Sequence, residues 1–254
     1  KAALNLKLEK GHKSRPFGEL EGGIGVSPAI WNNRLFLTQI SGKNQLLVTG
    51  KMNNIGMDIS DETKEHIDIT NLDAYEPFMP SVLPGMAWGE ALPQNRYLYN
   101  KSYSAGINYL TGLSADATLR LNVLLYEDHS SQTNHYEYRY GGVNEVNIAE
   151  MNNKKQQTLT ILPILKYEMN GSRSFVSNEL RYSFNSMSSF NTLVTNGTRL
   201  TEHVYSKPSY FQNYFSSSFF LGKQIVQAKS LLRYFNRKER LDDVSDSIAF
   251  YNVA

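Results

Sequence analysis

Residues 103–128 read YSAGINYLTGLSADATLRLNVLLYED, and their spacing decides the fold. Ala117, Leu119, Leu121, Val123 and Leu125 are apolar, while Thr118, Arg120 and Asn122 alternate with them. A two-residue period sends the two sets to opposite faces of an extended chain. Ala105, Ile107 and Tyr109 repeat the pattern upstream, and Gly112 with Leu113-Ser114-Ala115-Asp116 supplies turn chemistry between the runs. The stretch predicts a β-hairpin with long arms. Its apolar face must lie against a second sheet or against lipid.

Working outward, the same alternation recurs along most of the chain. Leu4, Leu6 and Leu8 form a short strand before Gly11, and FGELEGGIGV (17–26) and RLFLTQIS (34–41) follow on either side of Pro28. Leu46, Val48, Gly50 and Met52 share a face after the turn at Ser41-Gly42-Lys43-Asn44. The hairpin's second arm is expected to run on through Tyr136, Tyr138 and Tyr140. Leu159, Ile161, Leu165 and Tyr167 make the next strand, with Pro163 removing one ladder donor. Further strands are expected around Leu180–Phe184, at SYFQNYFSSSFFL (209–221) and from Val226 to Tyr234. Polar loops are expected at 54–95, near Ser186–Pro208, in a broken segment before Thr158, and after Arg237 in RKERLDD.

Tight turns near Gly42, Gly112, Gly171 and Gly222 alternate with longer polar connections. Short turns at one end and long loops at the other describe an outer-membrane barrel, whereas a soluble sandwich turns every 8–12 residues or so. No run approaches the ~18 apolar residues of a transmembrane helix, but barrel strands need only about 9–11 residues. The expected class is all-β, an antiparallel up-and-down meander of roughly nine strands forming part of a larger transmembrane β-barrel. The alternative is a secreted or surface β-sandwich that binds glycan or a partner protein.

Composition narrows the function. The 254 residues carry 26 Lys and Arg against 24 Asp and Glu, a net charge of +2 without a basic stripe, which argues against nucleic acid. Cysteine is absent, which excludes disulfides, thiolate metal sites and a cysteine nucleophile. The chain opens KAALNLKLEK and ends YNVA amid strand-like sequence, so it is expected to be a fragment of something longer.

The motifs NLKLEK (5–10), FGELEGGIGV (17–26) and SGKNQLLVTGKMNNIG (41–56) together resemble the start of the barrel in TonB-dependent receptor-like outer-membrane proteins of Bacteroidota-type bacteria. INYL…LRLNVLLYED and LKYEMNGSRSFVSNELRYSF (165–184) fit the same pattern. The resemblance implies that residues 1–10 hold the last strand of a plug domain and that 54–95 is a long extracellular loop. It implies the N-terminal part of a barrel of about 22 strands. It also implies uptake of a nutrient ligand, captured by the outer loops and admitted by an energy-coupled plug not present in this chain. The location would be the bacterial outer membrane. The partners would be outer-membrane lipid, a surface lipoprotein and the TonB energy-coupling system.

Candidate contact residues are few. Phe78, Met86 and Trp88 form apolar islands in the long polar loop, which either touch a ligand or a lipoprotein or pack inside the barrel mouth. Lys51, Arg120, Arg181, Lys229 and Arg233 are expected to face a polar lumen. The tyrosine and phenylalanine clusters (Tyr97, Tyr99 and Tyr103; Tyr136, Tyr138 and Tyr140; Tyr210, Phe211, Tyr214 and Phe215) read as interfacial girdles or packing rather than sugar platforms. The acidic loop Asp58–Glu76 lacks EF-hand spacing, and the five histidines show no metal-binding spacing. No G-x-S-x-G motif is present, so no catalytic residue, cofactor or metal is expected and the chain is read as no enzyme.

Overall fold

The computed structural model describes residues 14–60, 93–141, 146–245 and 249–253. Among them, twelve strands form one antiparallel sheet. In chain order they are β1 (Phe17–Val26), β2 (Ala29–Ser41), β3 (Asn44–Asn53), β4 (Tyr99–Gly112), β5 (Ala117–Tyr140) and β6 (Val146–Asn170). Then come β7 (Ser174–Thr195), β8 (Thr198–Ser206), β9 (Ser209–Leu221), β10 (Gln224–Asn236), β11 (Glu239–Ser245) and β12 (Ala249–Val253). Neighbours pair in sequence order from β1 to β8.

The branch beyond β7 is a pair of interrupted strands. Phe184 pairs with Ser209 and Met187 with Ser206, so β8 and β9 keep one register along β7 across Lys207-Pro208. Asn185 N–H still donates to the Pro208 carbonyl at 2.9 Å, but the proline has no N–H to return. β10 and β11 likewise follow one register along β9 and β8, with Lys207 N–H on the Lys238 carbonyl at 2.8 Å. The molecule is thus an up-and-down meander throughout. Pro163 acts in the same way: β6 keeps its pairing to β5 at Val123, while its ladder to β7 lapses at Leu162 and Pro163 without a change of register.

The sheet is not closed into a barrel among the described residues: β1 is one edge, and β10 and β12 lie along the other. The expected turns at Gly42, Gly112, Gly171 and Gly222 all join strands. Asn196-Gly197 adds another, with φ of 49° and 86°. Two consecutive positive φ values are what a two-residue type I′ hairpin requires, and Asn-Gly is the pair that adopts them most readily. The Asn196 side chain also accepts from Ala149 N–H at 2.9 Å, fastening the turn to β6.

Several expected loops are strand. The segment 186–208 holds the end of β7, the Asn-Gly turn and β8; residues 146–158 extend β6; and RKERLDD contributes β11. Their few apolar residues are spread over both faces (Met151, Phe190 and Val194 on one, Leu193, Leu200 and Val204 on the other), so the alternation that marks a half-buried strand is missing there, while the backbone ladder persists. The expected plug strand at 1–10 and most of the long loop lie outside the described residues.

Register assigns every side chain to a face. Leu35, Gly50, Ala105, Leu125 and Ile161 stand side by side across β2 to β6 on one face. Arg34, Lys51, Ser104, Tyr126 and Thr160 form the next row, on the other face. The first face is apolar and exposed: Ile107, Leu121, Leu125, Leu165, Tyr182 and Phe211 are among its exposed large side chains. The second is polar and buried. Of thirteen buried polar residues, all but Thr192 lie on it, against five buried hydrophobic ones in the described chain. A single-layer sheet buried on one side curls toward that side, so the polar face is the concave one.

Candidate functional site: the polar face and the segment it anchors

Two groups of side chains organise the concave face. The first joins β3, β4 and β5 to the start of the long connection. Asn100 donates through Nδ2 to Asn53 Oδ1 at 3.0 Å and to Ser102 Oγ at 2.6 Å. Ser102 and Ser130 donate to the two oxygens of Asp128, each at 2.5 Å. Asp128 is buried, and a hydroxyl on each oxygen replaces the water it has lost.

The same asparagines hold the chain that leaves β3. Asn100 Oδ1 accepts from Gly56 N–H at 2.8 Å, and its Nδ2 reaches the Met57 carbonyl at 3.0 Å. Asn54 bridges to β2, accepting from Trp31 N–H at 2.6 Å and donating to the Ala29 carbonyl at 3.0 Å. Gly56 has φ of +75°, and a Cβ there would stand 2.6 Å from Asn95 Cα and 2.9 Å from the Leu98 carbonyl oxygen. Only glycine allows the outgoing segment to pass so close to the returning one. The Asn53-Asn54-Ile55-Gly56 step therefore clamps both ends of the long connection onto the polar face.

The second group is charged and spans β5 to β10. Arg120 stands opposite Lys166, and Lys166 opposite Glu179. One row along, Arg181, Gln212 and Arg233 are aligned. Arg181 Nη2 pairs with Glu179 Oε1 at 2.9 Å, with side chains only 12% and 10% exposed. Lys166 pairs with Glu168 at 2.9 Å, and Arg233 Nε donates to Gln212 Oε1 at 2.9 Å. Gln212 is wholly buried. Such charges are retained away from water only where partners compensate their desolvation.

The register puts Lys51, Arg120, Arg181, Lys229 and Arg233 on this one face. Arg120, Arg181, Lys229 and Arg233 belong to the charged group, while Lys51 lies apart beside Arg34. Phe78, Met86 and Trp88 lie outside the described residues. Asn100, Ser102, Asp128 and Ser130 were not singled out by sequence reasoning, although their even spacing with Arg120 was a usable signal. The aromatic clusters divide. Tyr182, Phe211 and Tyr234 form a row on the apolar face, whereas Tyr136, Tyr138, Tyr140, Tyr210 and Tyr214 share the polar one.

No group of three or more metal-binding side chains is present among the described residues, and no described helix is long and apolar enough to cross a membrane. Ser188 Oγ lies 3.0 Å from His203 Nε2 on the apolar side of the sheet, beyond the end of the apolar run on β6. Asp242, opposite His203 in the ladder, is paired with Arg240 at 2.8 Å. Burial against Phe190 and Tyr205 holds the imidazole below its ordinary pKa; Asp242 opposes that shift and Arg240 adds to it. Comparison with known family models, curated proteins and solved structures gives no match to the chain.

Proposed function

We propose that the chain is wall from an outer-membrane β-barrel receptor or transporter of the TonB-dependent type that its motifs resemble. One observation carries this reading: the sheet is polar where it is buried and apolar where it is exposed. A water-soluble sheet has the opposite distribution, because apolar burial is what stabilises it. The exposed apolar band on β6 runs from Leu159 to Met169. That is about 34 Å along the strand at ~3.4 Å per residue, or ~26 Å once tilted by ~40°, close to the hydrocarbon band of a barrel.

In this reading the apolar face meets lipid and the concave polar face lines a solute path. Lys51, Arg120, Arg181, Lys229 and Arg233 contribute to that lumen. The segment clamped by Asn53, Asn54 and Asn100 opens the long extracellular loop, which captures a nutrient ligand with or without a surface lipoprotein. A plug coupled to the TonB system admits the ligand. A sandwich would instead need a second sheet over Leu121, Leu125 and Leu165, and none covers them among the described residues.

The test is fractionation of the full-length protein. Resistance to carbonate wash, extraction by detergent and heat-modifiable gel mobility are expected. Recovery as a monodisperse protein without detergent would overturn the reading.

A further inference from the structure

The outer face carries a depression that the wall reading does not use. Leu35, Gly50, Ala105 and Leu125 are consecutive across β2 to β5, and the two small residues leave a trough between the larger ones. Its volume is about 510 Å³, and Leu20, Asn33, Met52 and Leu159 are among the residues on its sides. At its upper end Tyr103 and Glu127 are shared with a second depression of about 610 Å³. The chemistry changes at that boundary. Lys101 and His129 are paired across the ladder, and Lys155 faces Ser131 one step further out. All three lie on the same outer face as the trough and line the second depression. The one carboxylate there, Glu127, is held by His129 at 2.8 Å. Among the described residues neither Lys101 nor Lys155 has an ion-pair partner. An apolar slot thus opens, at the edge of the apolar band, into a site with two lysines.

We propose that these two depressions form one site for a phosphorylated membrane lipid. An acyl chain lies in the Gly50–Ala105 trough and the phosphate sits on Lys101 and Lys155. The occupant is a lipid rather than free phosphate because the lysines are continuous with an apolar slot that inorganic phosphate would leave empty. Two lysines without a matching pair of carboxylates select an anionic headgroup over a zwitterionic one. The inference rests on the membrane reading above.

Gly50 makes the test clean. A Cβ there would lie 3.6 Å from Leu35 Cβ and 3.9 Å from the Ser104 carbonyl oxygen, which is ordinary contact, so Gly50→Leu fills the trough without a backbone clash. The full-length protein, extracted in a non-ionic detergent, is titrated with lipid A, phosphatidylethanolamine or inorganic phosphate and read by native mass spectrometry. Lipid A should be retained, and the other two should not compete at equal concentration. Lys101→Ala with Lys155→Ala should weaken retention by roughly 25-fold, taking about fivefold for each lysine near a membrane surface. Gly50→Leu should abolish retention while heat-modifiable mobility stays intact. Equal retention of lipid A by the wild type and both variants overturns the site, as does equal binding of phosphatidylethanolamine. A protein that is detergent-extracted and heat-modifiable yet retains no lipid defeats this inference alone. One that never enters the membrane fraction defeats the wall reading itself.

Discussion

Leu121 is the position at which lipid and water make opposite demands. It is 38% exposed and lies midway between Ala117 and Leu125, the ends of the apolar run on β5. That run is about 27 Å long at ~3.4 Å per residue, so Leu121 is ~10 Å below either end once the strand is tilted by ~40°. If water bathes this face, Leu121→Arg exchanges one half-exposed side chain for another and costs within about 0.5 kcal/mol. If hydrocarbon bathes it, the same change costs about 2–4 kcal/mol, falling to ~0–1 near the interfaces. A 3 kcal/mol loss is roughly two orders of magnitude in the folding equilibrium. The expected series is therefore a large loss at Leu121→Arg and a small one at Leu125→Arg, at the edge of the band. Thr118→Arg, on the polar face opposite Glu168, should cost little. Denaturant midpoints of the protein folded into lipid vesicles measure all three. A flat series, with Leu121→Arg within 1 kcal/mol or so of Thr118→Arg, would refute the assignment of faces to solvents.

Three further outcomes follow from the polar face and its surroundings. Ser102→Ala leaves one Asp128 oxygen without its hydroxyl and takes one acceptor from the Asn100 amide, and should lower stability by about 1–3 kcal/mol with loss of hydrogen-exchange protection at Gly56 N–H. Gly56→Ala forces a Cβ against Asn95 and Leu98 at a positive φ, costing about 1–3 kcal/mol, and should raise proteolysis between residues 54 and 98 without moving the global midpoint equally. His203 is held below its ordinary pKa, so the folded protein binds its proton less readily than the unfolded chain. Its contribution is complete above the ordinary imidazole range and is lost as pH falls through that range toward the lower folded value. The midpoint of the wild type should fall more than that of His203→Phe between pH 7.5 and pH 5; parallel titrations would remove the assignment.

The strands in the apolar band were legible because one face alternates cleanly: Ala117 to Leu125 and Leu159 to Tyr167 show their period without help from tertiary structure. The polar ends of β5 to β8 were not legible. Gln156, Ser189 and Thr158 are joined on one face by hydrogen bonds, while Lys155 and Gln157 occupy the other, so hydropathy carries no period there. Only pairing with neighbours makes those segments strand. Arg120 could be assigned a face because it alternates with leucines. Asn100 and Asp128 could not be assigned roles, since their importance lies in which chain segment they hold, forty-odd residues away in the sequence for Asn100 and Gly56.

The strands do not end at one height. β4 begins at Tyr99, which faces Ser131, but β5 continues nine residues further, to Tyr140, about 30 Å along its own axis. β6 accompanies it to the end and β7 and β8 for part of that rise, whereas β3 has already ended at Asn53. This end of the sheet is therefore lopsided, with a low sill at β2 to β4 and a tall backboard at β5 to β8. The clamped asparagine segment sits on the sill. On the barrel-wall reading proposed above, a solute would meet the low side first, so the direction of approach would be set by unequal strand lengths rather than by any one contact.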